Sequence, residues 1–296
     1  LKEALTESKK QGDLTKTMHE GDIILLYKKK DPKDIRNYRP ITLLNTDYKI
    51  LTKILAMRLK RVCEASISHP QKGFVPGRQI TDLTRQLYLL QDYIEEKNQD
   101  GLLVLLDMEK AFDRCSWEFL IDSMKPIGIG EEMLGWVELL YSKINPPRRR
   151  IKLNGAPSPD FEIGSGVAQG CPLSPLLFLF IAEPLTRLIL QDKELEGIQI
   201  GEHTHKIAQF ADDTAAYVRN WDQLPRLFEL VGRWESATAM VANKDKTALI
   251  PMGSLKKKPP RQEMLDEIGL KGASTEPYEI YLGVPIASDR NAIGHS

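Results

Sequence analysis

The sequence has no excess of charge: 41 Lys and Arg stand against 41 Asp and Glu. The bulk basic surplus common in nucleic-acid-binding proteins is therefore missing, and such contacts must come from local clusters. Cysteine is scarce. Cys63, Cys115 and Cys171 are scattered and odd in number, which excludes a disulfide framework and fits free thiols in a reducing, intracellular setting. No Cys/His spacing matches a zinc site, and His203 and His205 in "GEHTHK" read as a solvated hairpin tip. The longest apolar run, residues 175–185, is short for a bilayer span and carries Glu183, so no membrane partner is expected. No signal-peptide pattern, internal repeat or low-complexity linker is present. The first residue is not Met, as expected of an excised piece. A hydrophobic share of 42% and a charged share of 28% exclude a disordered chain.

Basic residues cluster in "YKKK" (27–30), "RRR" (148–150) and "KKK" (256–258). Such clusters can line one groove while acids elsewhere cancel the sum. Segments 22–27 and 38–44 read as two strands around a polar turn. Tyr48, Leu51, Leu55, Leu59 and Val62 recur at helical spacing behind Asn45 and Thr46, which predicts a helix over 46–63. A second helix is expected over 81–97. "GLLVLLD" (101–107) is too short for a helix and predicts a strand buried on both faces. Helices follow over 117–128 and 131–144, then a hairpin around "NGAPSP", a long apolar helix over 174–190 and a hairpin over 206–218. A helix over 222–239, a strand at "TALIP" and a last strand over 279–286 complete the chain. This order predicts an α+β fold, with helices packed on one face of a largely antiparallel sheet.

Asp107 ends the buried strand, and Asp212 and Asp213 tip the later hairpin. If those strands are neighbours, three carboxylates meet at one sheet edge. Unpaired, such a cluster is disfavoured by desolvation and like charge. Divalent cations relieve that penalty, and hard carboxylate oxygens suit Mg²⁺ shared with substrate phosphates. Two such ions can clamp both oxygens of an in-line phosphoryl displacement.

The motifs "LLVLLDMEKAFDR", "GVAQGCPLSPLLF", "QFADDT", "NKDKT" and "YLGVPI" follow one another in that order, behind "NYRPITLLN" and "QKGFVPGRQ". The set resembles the reverse transcriptase of a non-LTR (LINE-type) retrotransposon from about residue 15 to residue 286, with telomerase and group II intron maturases as cousins. The resemblance implies a right-hand polymerase fold with an antiparallel palm sheet. It places fingers, with an N-terminal extension, over 1–100. It places the palm over 101–290, with intervening fingers elements at about 126–175. Thumb, endonuclease and zinc knuckle are expected to be absent from this chain.

The resemblance also implies roles. Asp107, the Met108 carbonyl and Asp212 match the metal ligands, and Asp213 a more peripheral catalytic acid. Phe112 matches the steric gate against a ribose 2′-OH, and Asp113 is read as a local structural acid. Phe210 lies where the family approaches the primer end. Gln169 and Gly170 match contacts to the incoming nucleotide and templating base. Arg39 matches the Arg that grips the triphosphate. Lys29 is the partner Lys, with Lys28 and Lys30 open as alternatives and Arg36 as fallback. Gln71, Phe74 and Arg78 are template-contact candidates. Lys246 is a candidate general acid beside the leaving pyrophosphate. Leu282 and Gly283 match the primer grip.

The implied reaction is RNA-directed DNA synthesis, with two Mg²⁺ ions, or Mn²⁺ in their place. The implied partners are dNTPs, an RNA template and a DNA primer or target DNA, in the nucleus. Two alternatives remain open: an RNA-dependent RNA polymerase, against which Phe112 argues, and a catalytically silent, retroelement-derived nucleic-acid-binding domain.

Overall fold

The computed structural model describes residues 1–275 and 278–288. It opens on a helix not anticipated from the sequence, α1 (Lys2–Gln11), which Gly12 ends in the left-handed region. A short α2 (Lys16–His19) leads into β1 (Glu20–Tyr27) and β2 (Tyr38–Leu44), then α3 (Thr46–Ser66). α4 (Ile80–Lys97) starts at a capping box: the Gln79 and Asp82 side chains each accept from the other residue's backbone N–H. β3 (Asp100–Leu106), α5 (Ala111–Arg114), α6 (Trp117–Met124) and α7 (Glu131–Leu140) follow. Next come β4 (Arg148–Leu153), β5 (Ala156–Pro157), β6 (Phe161–Glu162) and α8 (Ser174–Gln191). β7 (Ile198–Ile200) and β8 (His203–His205) form a small hairpin, so the two histidines lie on a strand. β9 (Ile207–Phe210), β10 (Asp213–Val218), α9 (Leu224–Thr238), β11 (Ala248–Gly253) and α10 (Gln262–Glu267) precede a last pair, β12 (Tyr278–Tyr281) and β13 (Val284–Ala287). The single final strand expected over 279–286 is thus a hairpin. Leu282 and Gly283 reverse the chain there with φ of 51° and 79°, the pair of positive angles that mark a type I′ two-residue hairpin turn.

The chain divides into two compact units. The first comprises Leu1–Ser66 and Phe112–Ile181, the second Ile67–Ala111 and the chain from Ala182 onward. Residues 67–100, read from sequence with the N-terminal portion, therefore belong with the second unit. Residues 289 and 290, where the expected palm ends, lie outside the described residues.

The first unit carries a sheet in the order β2-β1-β4-β5, with β6 also on β4. β1 and β2 are antiparallel, but β1 and β4 run parallel. This pairing puts "RRR" against acids distant in sequence. The Asp22 carboxylate takes Lys152 at 2.6 Å and Arg150 at 3.0 Å, and the Lys152 hydrogen bond leads in holding its pKa below the usual carboxylate range. Arg149 is buried and donates to the His19 and Arg148 carbonyls.

The second unit carries an all-antiparallel sheet, β11-β3-β10-β9. Leu83, Leu87, Leu90 and Ile94 of α4 pack on Leu103, Leu105, Ala215 and Tyr217. The alternate residues Leu102, Val104 and Leu106 are equally buried. The central strand is closed on both faces, as its unbroken apolar run requires. "KKK" is again locally neutralised: Lys256 pairs with Glu95 at 2.7 Å and Lys258 with Asp100 at 2.6 Å.

α8 extends the apolar run seen in the sequence. By length and composition alone it could cross a membrane, but 67% of it is buried inside the protein, which makes it a core helix. In its second-unit half, Glu183 is buried with its carboxylate accepting from Ser68 N at 3.0 Å, Ser68 Oγ at 2.6 Å and Arg187 Nε at 2.7 Å. A buried carboxylate is tolerated only with such partners. Glu183→Ala, which strands these donors, should destabilise the chain by about 2–3 kcal/mol in denaturant unfolding. Glu183→Gln, which keeps one acceptor oxygen, should cost less, and equal losses would mean that the charge carries the whole contribution.

Candidate active site

The carboxylates are positioned by one ladder in the second unit. Leu106 of β3 pairs with Thr214 of β10, and Asp107 and Asp213 are each the next residue beyond that pair. Phe210 and Asp213 close the β9–β10 hairpin, leaving Ala211 and Asp212 as its two-residue turn. Ala211 has φ of 58°, an uncommon conformation for a residue with a Cβ. Asp212 is half-buried and Asp213 exposed. The buried Tyr281 hydroxyl donates to the Asp213 carbonyl at 3.3 Å. Burial pushes that phenol well above its usual pKa, so it stays a donor.

Past Asp107 the backbone stays extended for one further bridge, Met108 opposite Ala242. Asn243 N–H donates to the Asp107 carbonyl at 2.7 Å, and Glu109 N–H donates to the Val241 carbonyl. Carbonyls alternate along an extended chain, so the Met108 carbonyl faces away from 241–243. Two aspartates and a carbonyl are hard oxygen donors of the kind Mg²⁺ takes. Among the described residues no three His, Cys, Asp or Glu side chains form a ligand set. The protein thus offers a partial shell, which fits an ion that keeps water and shares substrate phosphates. Lys246, set on a 3-10 turn by the Asn243 cap, places Nζ 3.2 Å from Asp107 Oδ2. Both side chains are partly exposed, so the pair contributes little to stability.

The 68–78 loop engages two of the expected template-contact residues within the protein itself. Gln71 is buried, with both ends of its amide engaged: Nε2 donates to the Ala211 carbonyl, and Oε1 accepts from Ala211 N and Gly73 N. Arg78 spends its guanidinium on the Ile67, Ser68 and Gln71 carbonyls. Gln71 is thus fully engaged inside the protein, and Arg78 is half-buried with its guanidinium on the loop's own backbone. Phe74 differs, being 42% exposed with its ring centroid 6.5 Å from that of Phe210. Leu282 and Gly283 occupy the β12–β13 turn.

Sequence reasoning missed Gln209, buried on β9. Its Oε1 accepts from Thr186 and its Nε2 donates to Thr214 at 3.1 Å. A glutamine inside the apolar "IAQFA" was the available signal.

In the first unit, Arg39 sits opposite Leu26 on the β1–β2 hairpin and Lys29 in its turn. Both are exposed, and neither forms an ion pair among the described residues. Lys28 and Lys30 are exposed as well. The fallback Arg36 is spent on Asp34, at 2.8 Å, whose carboxyl it holds below its ordinary pKa through that hydrogen bond. Tyr27 and Tyr38 brace the hairpin edge to face, with centroids 5.6 Å apart. Phe112 is stacked on Phe178 at 5.0 Å and lines a cavity of about 310 Å³ with Thr42, Asp113, Trp117, Arg149 and Gln169. Gln169 is half-buried: its carbonyl accepts from Thr42 N at 2.7 Å, and its Nε2 lies 3.5 Å from Asp113 Oδ1. Gly170 has φ of 117°, and a Cβ there would sit 2.5 Å from the Thr42 carbonyl oxygen, so this glycine serves a close approach between backbones.

The family model described as reverse transcriptase (RNA-dependent DNA polymerase) matches residues 27–286. The chain is 33% identical over 258 residues to the transposon TX1 uncharacterized 149 kDa protein of Xenopus laevis, covering 85% of this chain and 19% of that protein. It is 29% identical over 234 residues to the retrovirus-related Pol polyprotein from type-1 retrotransposable element R2 of Popillia japonica, covering 78% of this chain and 32% of that one. The chain therefore spans a third or less of the length of these relatives. Among solved structures, apo telomerase from Candida tropicalis aligns with a TM-score of 0.61 at 13% identity, covering 97% of this chain and 51% of that chain. That likeness shows the fold: α+β, with the fingers and palm of the right-hand polymerases. With the family model matching nearly the whole chain, the protein belongs to the reverse transcriptase (RNA-dependent DNA polymerase) family.

Proposed function

We propose that this chain is the fingers–palm core of a non-LTR retrotransposon reverse transcriptase, extending a DNA primer 3′-OH with dNTPs on an RNA template. The first unit is the fingers portion and the second the palm. The observation that carries the reading is the ladder end at Leu106 and Thr214, which sets Asp107 beside the Asp212–Asp213 turn.

Reverse transcriptases generally work with divalent metal ions. Here Asp107, Asp212 and the Met108 carbonyl would hold Mg²⁺, or Mn²⁺ in its place, with Asp213 adding charge nearby. Two such ions, when bound, supply activation of the attacking oxygen and neutralisation of the leaving pyrophosphate. The remaining work is positioning and electrostatics. Arg39 offers a planar fork to the triphosphate oxygens and Lys29 a point charge. Gln169 orients the incoming base, and Phe112, its ring fixed by Phe178, fills the space of a ribose 2′-OH. Phe210 and Phe74 offer aromatic surface to the primer end and the hybrid. The Leu282–Gly283 turn backs the primer strand. Lys246, with Nζ 3.2 Å from Asp107 Oδ2, serves the leaving group as a proton donor. The hybrid is held chiefly through its backbone, so binding should weaken steeply with salt. The setting is nuclear, where target DNA lies.

The deciding assay is Mg²⁺-dependent dNTP incorporation on a primed RNA template, with primed DNA and rNTP controls. Asp107→Asn and Asp212→Asn should each cut incorporation by more than the roughly 10–100-fold that loss of a supporting group costs a metal site. Circular dichroism should be unchanged, and extension near the wild-type rate by either variant rejects the ligand assignment. Phe112→Val should raise the rNTP/dNTP incorporation ratio by at least about tenfold, equivalent to about 1.4 kcal/mol. An unmoved ratio removes Phe112 from sugar selection.

A further inference from the structure

The 68–78 loop does more than pass beneath the β9–β10 hairpin. Gln209 N–H donates to the Pro70 carbonyl at 2.9 Å, and Lys72 N–H donates to the Gln209 carbonyl at 2.7 Å. The loop is thereby laid parallel to β9, one residue pair in register. The Gln71 side chain then continues this pairing where the main chain can no longer do so. Its Nε2 donates to the Ala211 carbonyl at 3.1 Å, and its Oε1 accepts from the Ala211 N–H at 2.9 Å. The amide thus acts as a surrogate peptide group for the first turn residue. Oε1 also takes Gly73 N–H at 2.8 Å, which locks the amide's orientation.

Two further contacts make the loop a rigid support. Arg78 Nη1 donates to the Ser68 and Gln71 carbonyls, both at 2.7 Å, and Nη2 to the Ile67 carbonyl at 2.8 Å. One guanidinium therefore cross-braces the loop's own backbone. Gly73 lies so close that a Cβ would fall on the Ala211 amide nitrogen.

What the clamp holds is a strained residue. Ala211 sits at φ of 58° where glycine or asparagine is the usual choice, and such strain persists only where surroundings over-determine it. Asp212 is the next residue, so the Ala211 backbone sets the direction in which the Asp212 carboxylate leaves the turn.

We propose that Gln71 is a positioning residue of the catalytic centre: its amide holds Ala211 in the left-handed turn and thereby aims Asp212. This inference rests on Asp212 being a metal ligand, as argued under the proposed function. It reassigns Gln71 from the template to the turn, with Arg78 and Gly73 as its supports.

The test is Mn²⁺ binding to the purified chain without nucleic acid, followed by electron paramagnetic resonance, alongside thermal unfolding and primer extension. Variants are Gln71→Ala, Gln71→Glu, Asp212→Asn, and Gln71→Ala combined with Ala211→Gly. Loss of an outer-shell group typically weakens metal affinity roughly 10–100-fold, and a loss in that range is expected for Gln71→Ala. Its kcat should fall in parallel, with KM for dNTP within about twofold. Glycine adopts the left-handed turn without a clamp, so Ala211→Gly in the Gln71→Ala background should restore most Mn²⁺ affinity. Gln71→Glu keeps the acceptor and loses the donor to the Ala211 carbonyl, so it should fall between wild type and Gln71→Ala; if Gln71→Ala fails to fold, Gln71→Glu decides. Wild-type Mn²⁺ affinity in a folded Gln71 variant, while Asp212→Asn weakens binding, overturns the clamp and leaves the metal site standing. Unchanged affinity in Asp212→Asn overturns the metal site itself and the clamp with it. No rescue by Ala211→Gly overturns the turn-holding role.

Discussion

The antiparallel pairing of β3 with β10 is the constraint on which the rest of the site depends. Only this pairing carries Asp107 to the Asp212–Asp213 turn. Its register is set by burial. Leu102, Val104 and Leu106 fill one face, and Leu103 and Leu105 the other. A slip of one residue would exchange the two sets and mismatch Ala215 and Tyr217 against α4. Fully burying a Leu or Val is worth roughly 1.5–3 kcal/mol. Several such residues bind the register far more strongly than the carboxylates repel one another across a partly exposed edge. The core, not the charged residues, brings the acids together.

The same hierarchy explains the fate of the charge clusters. Zero net charge left local basic runs as the only visible footprint for nucleic acid. Two of the three runs are consumed by the fold. Asp22 draws in Arg150 and Lys152, while Glu95 and Asp100 take Lys256 and Lys258. These acids are far away in sequence, so the neutralisation was invisible without the tertiary pairings of β1 with β4 and of β3 with β11. The lysines of "YKKK", at the tip of the β1–β2 hairpin, are exposed and form no ion pair among the described residues.

What was legible in the sequence follows from how local its cause was. β3 was readable because a short unbroken apolar run has few alternatives, and α4 and α9 because their periodicity is strong. The β9–β10 hairpin was readable from apolar arms around two acids. The reversal at Leu282 was not, because a leucine at positive φ is rare and an eight-residue apolar segment reads as one strand. The parallel β1–β4 pairing lay out of reach because its partners are far apart in sequence, with a whole segment of the second unit, Ile67–Ala111, between them. Gln71 is the instructive case. Its motif marked it as important, but a polar residue in a motif gives no direction. Its place at the template is what the resemblance implies, and its engagement by Ala211 is a tertiary contact across the fold.

Gly73 and Gly170 extend that point. Both lie in motifs whose glycines are easily read as making room for a nucleotide. In each case the space is filled by the protein's own backbone: the Ala211 amide beside Gly73 and the Thr42 carbonyl beside Gly170. Each contact ties a motif to a neighbour within its own unit, Gly170 to β2 of the β1–β2 hairpin and Gly73 to the turn that bears Asp212. A side chain at either position would act first on the geometry of that neighbour and only through it on substrate. Motif residues of this kind transmit shape between segments, so their removal should disturb the aim of the acids and of the hairpin cations before it disturbs any direct contact with nucleic acid.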